Sequence, residues 1–225
     1  QKMKNFSNIK NILFDCDGVL YEELEPVFGQ VSKRMTKYIS NKLNIDLNKA
    51  KELQTKYFHK YNTSLNGLMI HHKVNPKDFL KYVHDIDLSC LTRNKILRNE
   101  LSNLNLKKYV FTNGSREHVE NIIQHLGIED LFDDIFDIVD AEYFPKPDPK
   151  NYDLMLKKFQ IDPKETLYIE DIAKNLSIAK KLGTTTVWLI NEEQWGKKDS
   201  EKEFIDYKIK NVSLFLKEIR LLKSA

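Results

Sequence analysis

The segment Ile9-Lys10-Asn11-Ile12-Leu13-Phe14-Asp15-Cys16-Asp17-Gly18 runs an apolar, partly β-branched stretch straight into two aspartates and a glycine. A short apolar run bounded by turn residues reads as a buried strand ending in a tight turn. Asp15 and Asp17 stand two residues apart, so in extended backbone they share one face and Cys16 takes the other. Cys16 is accordingly expected in the core.

The same event recurs further along the chain. Residues 109–112 predict a strand that ends in Thr112-Asn113-Gly114, and Ser115 then opens a helix carrying Val119, Ile122, Ile123 and Leu126, with Gly127 as its stop. Residues 135–139 predict a third strand, and the loop after it holds Lys146-Pro147. A helix is expected over 149–159. The strand predicted over 166–169 ends in Glu170-Asp171, with a helix over 173–182, another strand over 185–190 and a closing helix over 214–222. Strands alternating with helices imply right-handed crossovers and a parallel sheet. Ligands in such sheets sit at the carboxyl ends of the strands, near the switch point.

The stretch between the first two strands has a different texture. Pro26 starts a helix with Val27, Val31, Met35, Tyr38 and Ile39 on its apolar side. Asn48 is expected to cap a helix running toward Tyr57 and Phe58, Asn75-Pro76 opens another with Phe79, Leu80 and Val83, and 91–104 predicts one more. The expected fold is α/β: a Rossmann-like, doubly wound parallel sheet built from 1–20 and 105–225, with an inserted helical-bundle cap over 21–104.

Composition narrows the class. The chain has 225 residues, 41% hydrophobic and 31% charged, long enough for one large domain or a domain with an insert. Its 36 basic and 33 acidic residues nearly cancel, which excludes a strongly basic nucleic-acid binder. No apolar run reaches the ~20 residues that span a bilayer, and 9–14 is too short for a signal-peptide core. Cys16 and Cys90 cannot build a disulfide framework, so a reducing, cytoplasmic setting is expected. The opening Gln1-Lys2-Met3 reads as a processing remnant.

The strand ends carry the chemistry. Asp15, Asp17, Asp171 and Glu170 crowd carboxylates into one crevice, where like charges raise one another's pKa and a hard dication with oxygen ligands answers the repulsion. Thr112, Asn113, Gly114 and backbone N–H groups at a helix start suit phosphate oxygens, and Lys146 adds positive charge. The substrate these groups fit is a phosphoryl group. A carboxylate nucleophile would divide its hydrolysis into two easier steps, and a second carboxyl group would serve as acid and then base.

These four clusters resemble the motifs of the haloacid dehalogenase superfamily: Asp15-Cys16-Asp17-Gly18-Val19-Leu20, Thr112-Asn113-Gly114, Lys146-Pro147, and Glu170-Asp171 with Asn175. The resemblance covers nearly the whole chain and implies a helical cap between the first two motifs. It implies Asp15 as nucleophile and metal ligand, and Asp17 as acid/base with its backbone carbonyl on Mg²⁺. Asp171 becomes a metal ligand with Glu170 in or beside its shell, and Thr112 and Lys146 become phosphate ligands. Asp17 favours phosphate esters over dehalogenation.

Within the superfamily the chain is most similar to the pyrimidine 5′-nucleotidase branch, through Leu20-Tyr21, the stretch 64–68, His72-Lys73-Val74-Asn75, Phe111-Thr112-Asn113 with His118, and 126–132. Two positions point elsewhere. Gly18-Val19 follows Asp17 in the form common among sugar-phosphate members, phosphoglucomutases included, and Ile172 stands where a Ser is usual. The expectation is a Mg²⁺-dependent phosphatase acting on a nucleoside 5′-monophosphate. The alternatives are a sugar-phosphate phosphatase or mutase, and a protein that kept the fold as a binding module. Its partner is a small phosphorylated metabolite, with no nucleic acid and no membrane, and the chain acts as a monomer or homodimer. His71 and His72 are candidates for substrate contact from the cap, against a surface or helix-packing role. Tyr57, Phe58 and Tyr61 read as cap core, and Trp195 as a polar-loop residue without a role.

Overall fold

A computed structural model of the chain describes residues 5–224, so the opening Gln1-Lys2-Met3 lies outside the described residues. Among the described residues six strands form one parallel sheet: β1 (Asn11–Phe14), β2 (Lys107–Phe111), β3 (Asp134–Phe136), β4 (Thr166–Glu170), β5 (Thr185–Leu189) and β6 (Tyr207–Ile209), in the order β3-β2-β1-β4-β5-β6. β1 lies at the reversal of strand order. Its register aligns Phe14 with Val110 on one side and with Ile169 on the other. The residues that follow each of these three positions therefore emerge together at one edge of the sheet.

Ten α-helices accompany the described strands. α1 (Leu24–Leu43), α2 (Leu47–Tyr61), α3 (Ser64–His72), α4 (Pro76–Val83) and α5 (Lys95–Asn103) fall between β1 and β2; α6 (Arg116–Leu126) follows β2; α7 (Pro149–Phe159) follows β3. α8 (Ser177–Lys181), α9 (Gln194–Lys197) and α10 (Val212–Ser224) complete the chain. No helix of the described residues is long and apolar enough to cross a membrane.

The period-2 alternation of the strands builds two cores. Ile12, Phe14, Val110, Ile169 and Val187 point to one face, against Val119 and Ile122 of α6 and Phe215, Leu216 and Ile219 of α10. Leu13, Phe111, Tyr168 and Trp188 point to the other, against Tyr152 and Met155 of α7 and Leu176 and Ala179. Cys16 is buried in the first of these, and both cysteines are free thiols. A third cluster holds α1 to α4 together around Val31, Ile39, Tyr57, Leu68, Phe79 and Val83. Gly67 lets α2 and α3 approach, because a Cβ there would stand 2.3 Å from the Tyr57 ring.

Several boundaries differ from expectation. α2 is capped by Asp46, whose side chain accepts from the Lys49 N–H at 2.8 Å, and Asn48 lies inside the helix. The stretch expected as a helix over 91–104 is helical only from Lys95, where Asn94 accepts from Leu97 N. The segment after β4 begins with a 3-10 turn, Ala173–Leu176, before α8. β3 stops at Phe136, because Asp137 and Asp140 exchange backbone-to-carboxylate bonds that turn the chain. β6, three residues at the sheet edge with a polar neighbourhood, has no sequence signal strong enough to mark it.

The far end of the range 21–104 packs on the sheet. Leu88, Leu91, Leu97, Leu101 and Leu104 join the sheet's own core, with α5 lying on α10. A core-covering helix and a cap helix show the same apolar periodicity, so sequence alone cannot separate them. In the opposite direction, Ile138 and Tyr143 leave the sheet domain to pack into the α1–α4 cluster.

Candidate active site

The sheet edge at β1, β2 and β4 opens into a cavity of about 530 Å³ that continues between α1, α2 and α4. At its floor lie Asp15, Asp17, Thr112, Asn113, Gly114, Lys146, Glu170 and Asp171. All of the strand-end residues expected from sequence are thus brought together.

Asp15 follows β1 directly, and its N–H bonds Ile169 O at 3.0 Å, so the strand ladder itself sets its position. Lys146 arrives on the long loop before α7. Asn113 places it: Asn113 Oδ1 accepts from the Lys146 N–H at 2.8 Å. The Lys146 ammonium is enclosed by Asp15 Oδ1 at 3.2 Å, Glu170 Oε2 at 3.0 Å, the Phe111 carbonyl at 2.9 Å and the Tyr168 hydroxyl at 2.8 Å. Tyr168 also bonds Glu170 Oε2, and the Ile172 N–H bonds Glu170 Oε1 at 3.2 Å. Glu170 is therefore fully partnered. Thr112 Oγ1 accepts from Gly114 N at 2.9 Å and faces the cavity beside the start of α6.

The electrostatics follow from burial. Burial pushes the Asp15 carboxyl well above the usual range, and the Glu170 charge adds to this against the pull of Lys146. Asp171 is pushed up by burial, then by Asp15 and Glu170. Burial would raise Glu170 too, but Lys146 and the Tyr168 hydroxyl outweigh it and hold Glu170 below its ordinary value. Lys146 is raised: burial lowers it, and Asp15 and Glu170 overcome that. Asp17 is lowered: burial opposes this, and the charge and hydrogen bond of His118, then Tyr21, prevail.

A divalent cation fits this floor. Asp15, Glu170 and Asp171 offer carboxylate oxygens within 4.8 Å of one another. Three carboxylates face one ammonium, which leaves an excess of negative charge in a low-dielectric site. Asp171 Oδ1 is buried with no hydrogen-bond partner, while Oδ2 accepts from Asn191 Nδ2 at 3.2 Å. The donor set is all oxygen, as Mg²⁺ prefers. Gly18, at φ +83°, keeps the space open, since a Cβ there would stand 2.4 Å from Asp171 Oδ2.

Asp17 stands apart from that cluster. Its carboxylate turns toward His118 and Tyr21, so its side chain is not among the converging oxygens. His71 and His72 do not line the cavity. They end α3, where His71 Nε2 pairs with the Tyr61 hydroxyl at 2.5 Å and His72 Nε2 with the Tyr57 hydroxyl at 2.8 Å. His59 and His84 line it instead, with Phe58 and Trp195. Tyr168 had a readable signal: it lies two residues before Glu170 on β4, hence on the same face. His84, Asn191 and Trp195 had none, because only the tertiary path of the chain brings them in.

The chain has counterparts among known proteins. Residues 9–183 match the model of the haloacid dehalogenase-like hydrolases, and the chain belongs to that family. Phosphate metabolism protein 8 of Saccharomyces cerevisiae is 27% identical over 229 residues, 93% of this chain and 70% of its own. The glyceraldehyde 3-phosphate phosphatase of Methanocaldococcus jannaschii is 28% identical over 241 residues, 96% of this chain and 99% of its own. A phosphatase structure of the same superfamily from Thermococcus onnurineus shares the fold with a TM-score of 0.60 at 19% identity, over 95% of this chain and 97% of its own.

Proposed function

We propose that this hydrolase cleaves small phosphate monoesters through an aspartyl-phosphate on Asp15, with a nucleoside 5′-monophosphate as substrate and α1–α4 acting as the cap. The observation that carries the reading is the floor itself: a buried Lys146 against Asp15, with Thr112 beside it and Asp17 two residues on. Names of relatives support the class, since one 28% identical protein is a phosphatase of a small phosphate ester.

In the proposed reaction, an Asp15 oxygen attacks phosphorus. The P–O bond to the leaving alcohol breaks as the Asp15 O–P bond forms. The negative charge of a bound phosphate ester favours the protonated form of Asp17, against the pull of His118 and Tyr21, and that proton goes to the leaving oxygen. A water then attacks phosphorus, gives its proton to Asp17 and releases Asp15 with inorganic phosphate. Lys146 and Thr112 hold the phosphoryl oxygens where negative charge collects. Asp15 and Asp171 would hold Mg²⁺, with Glu170 supporting Lys146 from behind; bound there, the ion supplies positive charge to the phosphoryl group.

The nucleotide assignment draws on the cavity. Its volume of about 530 Å³ falls in the range of small-molecule sites, and a triose phosphate would leave much of it empty. Leu24, Phe28 and Phe58 offer apolar surface, and Gln54, Asn62 and Lys51 offer polar groups, a mixture that suits a base and a ribose. A sugar-phosphate substrate is the second reading, favoured by Gly18-Val19 after Asp17 and by the triose-phosphate phosphatase among the relatives. Phosphate release with Mg²⁺ from UMP, CMP, AMP, GMP, glucose 1-phosphate and glyceraldehyde 3-phosphate tests both. Preference for the nucleotides is expected; preference for a sugar phosphate would replace the first reading with the second.

A further inference from the structure

We propose that His118, with Tyr21, is a positioning residue that fixes which oxygen of Asp17 exchanges the proton with substrate. The inference rests on the phosphatase reading above. Asp17 Oδ1 accepts two hydrogen bonds, from His118 Nε2 at 2.9 Å and from the Tyr21 hydroxyl at 2.5 Å. Facing a carboxylate, both groups must donate. Oδ2 has no hydrogen-bond partner among the described residues, and Asp17 lines the cavity.

A lone carboxylate turns readily about its last torsion. Two donors on one oxygen stop that rotation and occupy both of its lone pairs. The transferable proton then has one place to sit, Oδ2. In the first step it leaves Oδ2 for the ester oxygen as the P–O bond breaks, and in the second Oδ2 receives it from water. Effective acid catalysis needs this atom within hydrogen-bond reach of the leaving oxygen.

The two donors are themselves held. Tyr21 is 2% exposed, four residues past Asp17 at the exit of the turn. His118 is 1% exposed on the first turn of α6, its N–H bonded to Ser115 Oγ at 3.3 Å. The ring of His84 lies flat on it, with centroids 4.1 Å apart and planes 10° apart. His84 Nδ1 is tied to the same Ser115 Oγ at 2.9 Å. The His118 imidazole is thus clamped in its plane with Nε2 aimed at Asp17. An imidazole serving only to fill the core would not need that aim.

The experiment compares kcat/KM for two esters, because kcat/KM reports the step that expels the alcohol. One is whichever nucleoside or sugar monophosphate the wild type cleaves fastest, and the other is p-nitrophenyl phosphate. Nitrophenolate leaves without a proton, and an alkoxide does not. His118→Ala should therefore lower kcat/KM for the alkyl ester more than for the nitrophenyl ester, by roughly 10- to 100-fold, a part of the ~10²–10⁴ that acid–base catalysis contributes in full. His118→Gln, which restores an N–H donor, should recover much of the difference. Tyr21→Phe should show the same selective loss, and it carries the comparison should His118→Ala fail to fold. Equal losses on both esters, with no recovery in the Gln variant, would overturn the inference and leave His118 a structural residue. No phosphate release by the wild type from any ester would instead remove the phosphatase reading, and this inference with it.

Discussion

The ammonium of Lys146 lies 3.0 Å from the carboxylate of Glu170, and both side chains are only 1% exposed. A pair this deep is held by mutual compensation. Removing one partner leaves a buried, uncompensated charge, which costs far more than the pair contributes. Lys146→Met should destabilise the protein by about 3–5 kcal/mol. Adding Glu170→Gln to it should recover part of the loss, and urea unfolding of both variants measures this. A Lys146→Met protein as stable as wild type would mean the pair is not buried in solution.

Asp15 and Asp17 should separate by the size of their effects. Asp15→Asn removes the proposed nucleophile with little change in volume, so phosphate release should vanish while the far-ultraviolet circular dichroism stays unchanged. Asp17→Asn should slow turnover by roughly 10²–10⁴, the usual scale of acid–base catalysis. Retained release in the first variant would point to direct attack by water. An unchanged rate in the second would move the proton to another group.

Removing divalent ions with EDTA should abolish turnover, and Mg²⁺ should restore it. A second readout does not depend on activity. A ligand bound only by the folded state stabilises it, so Mg²⁺ should raise the melting temperature of the wild type. Asp171→Asn replaces the side chain that carries the unpaired oxygen and should cancel that increase. An equal increase in the variant would place the ion elsewhere.

Away from the site, Arg98 grips Asp130 with two bonds of 2.6 and 2.8 Å and reaches the Gly127 carbonyl as well. This hydrogen bonding, chiefly, lowers the Asp130 carboxyl to about 2. A depressed carboxylate contributes stability above its ordinary pKa of about 3.9, and loses it as pH falls toward the folded value. Asp130→Asn should therefore be less stable than wild type at pH 7. The difference in urea midpoint should shrink as pH falls from about 4 toward 2. A difference that stays constant over that range would mean the Asn amide disturbs packing rather than charge.

Legibility differed from group to group, for physical reasons. The turn after β1 could be read because an apolar run ending in Asp-Cys-Asp-Gly is a local pattern. Tyr168 could have been read from the two-residue period that sets it beside Glu170. His84 could not: it ends α4 and meets His118 only because the chain returns there from the cap. Nor could the allegiance of Leu97 and Leu101, whose apolar stripe would serve a cap or a sheet equally well and which packs on the sheet domain. For His71 and His72 the sequence left substrate contact open beside a surface or helix-packing role. They pair with Tyr61 and Tyr57 of the neighbouring helix, a match made by how α2 and α3 cross.

By itself the sequence determined the alternation of strand and helix and the identity of the groups at each strand end, since periodicity, capping and turn chemistry act over a few residues. Tertiary structure alone decided which of those groups touch. Parallel register and loop path bring Lys146 to Asp15 across 131 residues, and His118 to Asp17 across 101. Contacts of that separation depend on how whole elements pack, and no local pattern encodes them.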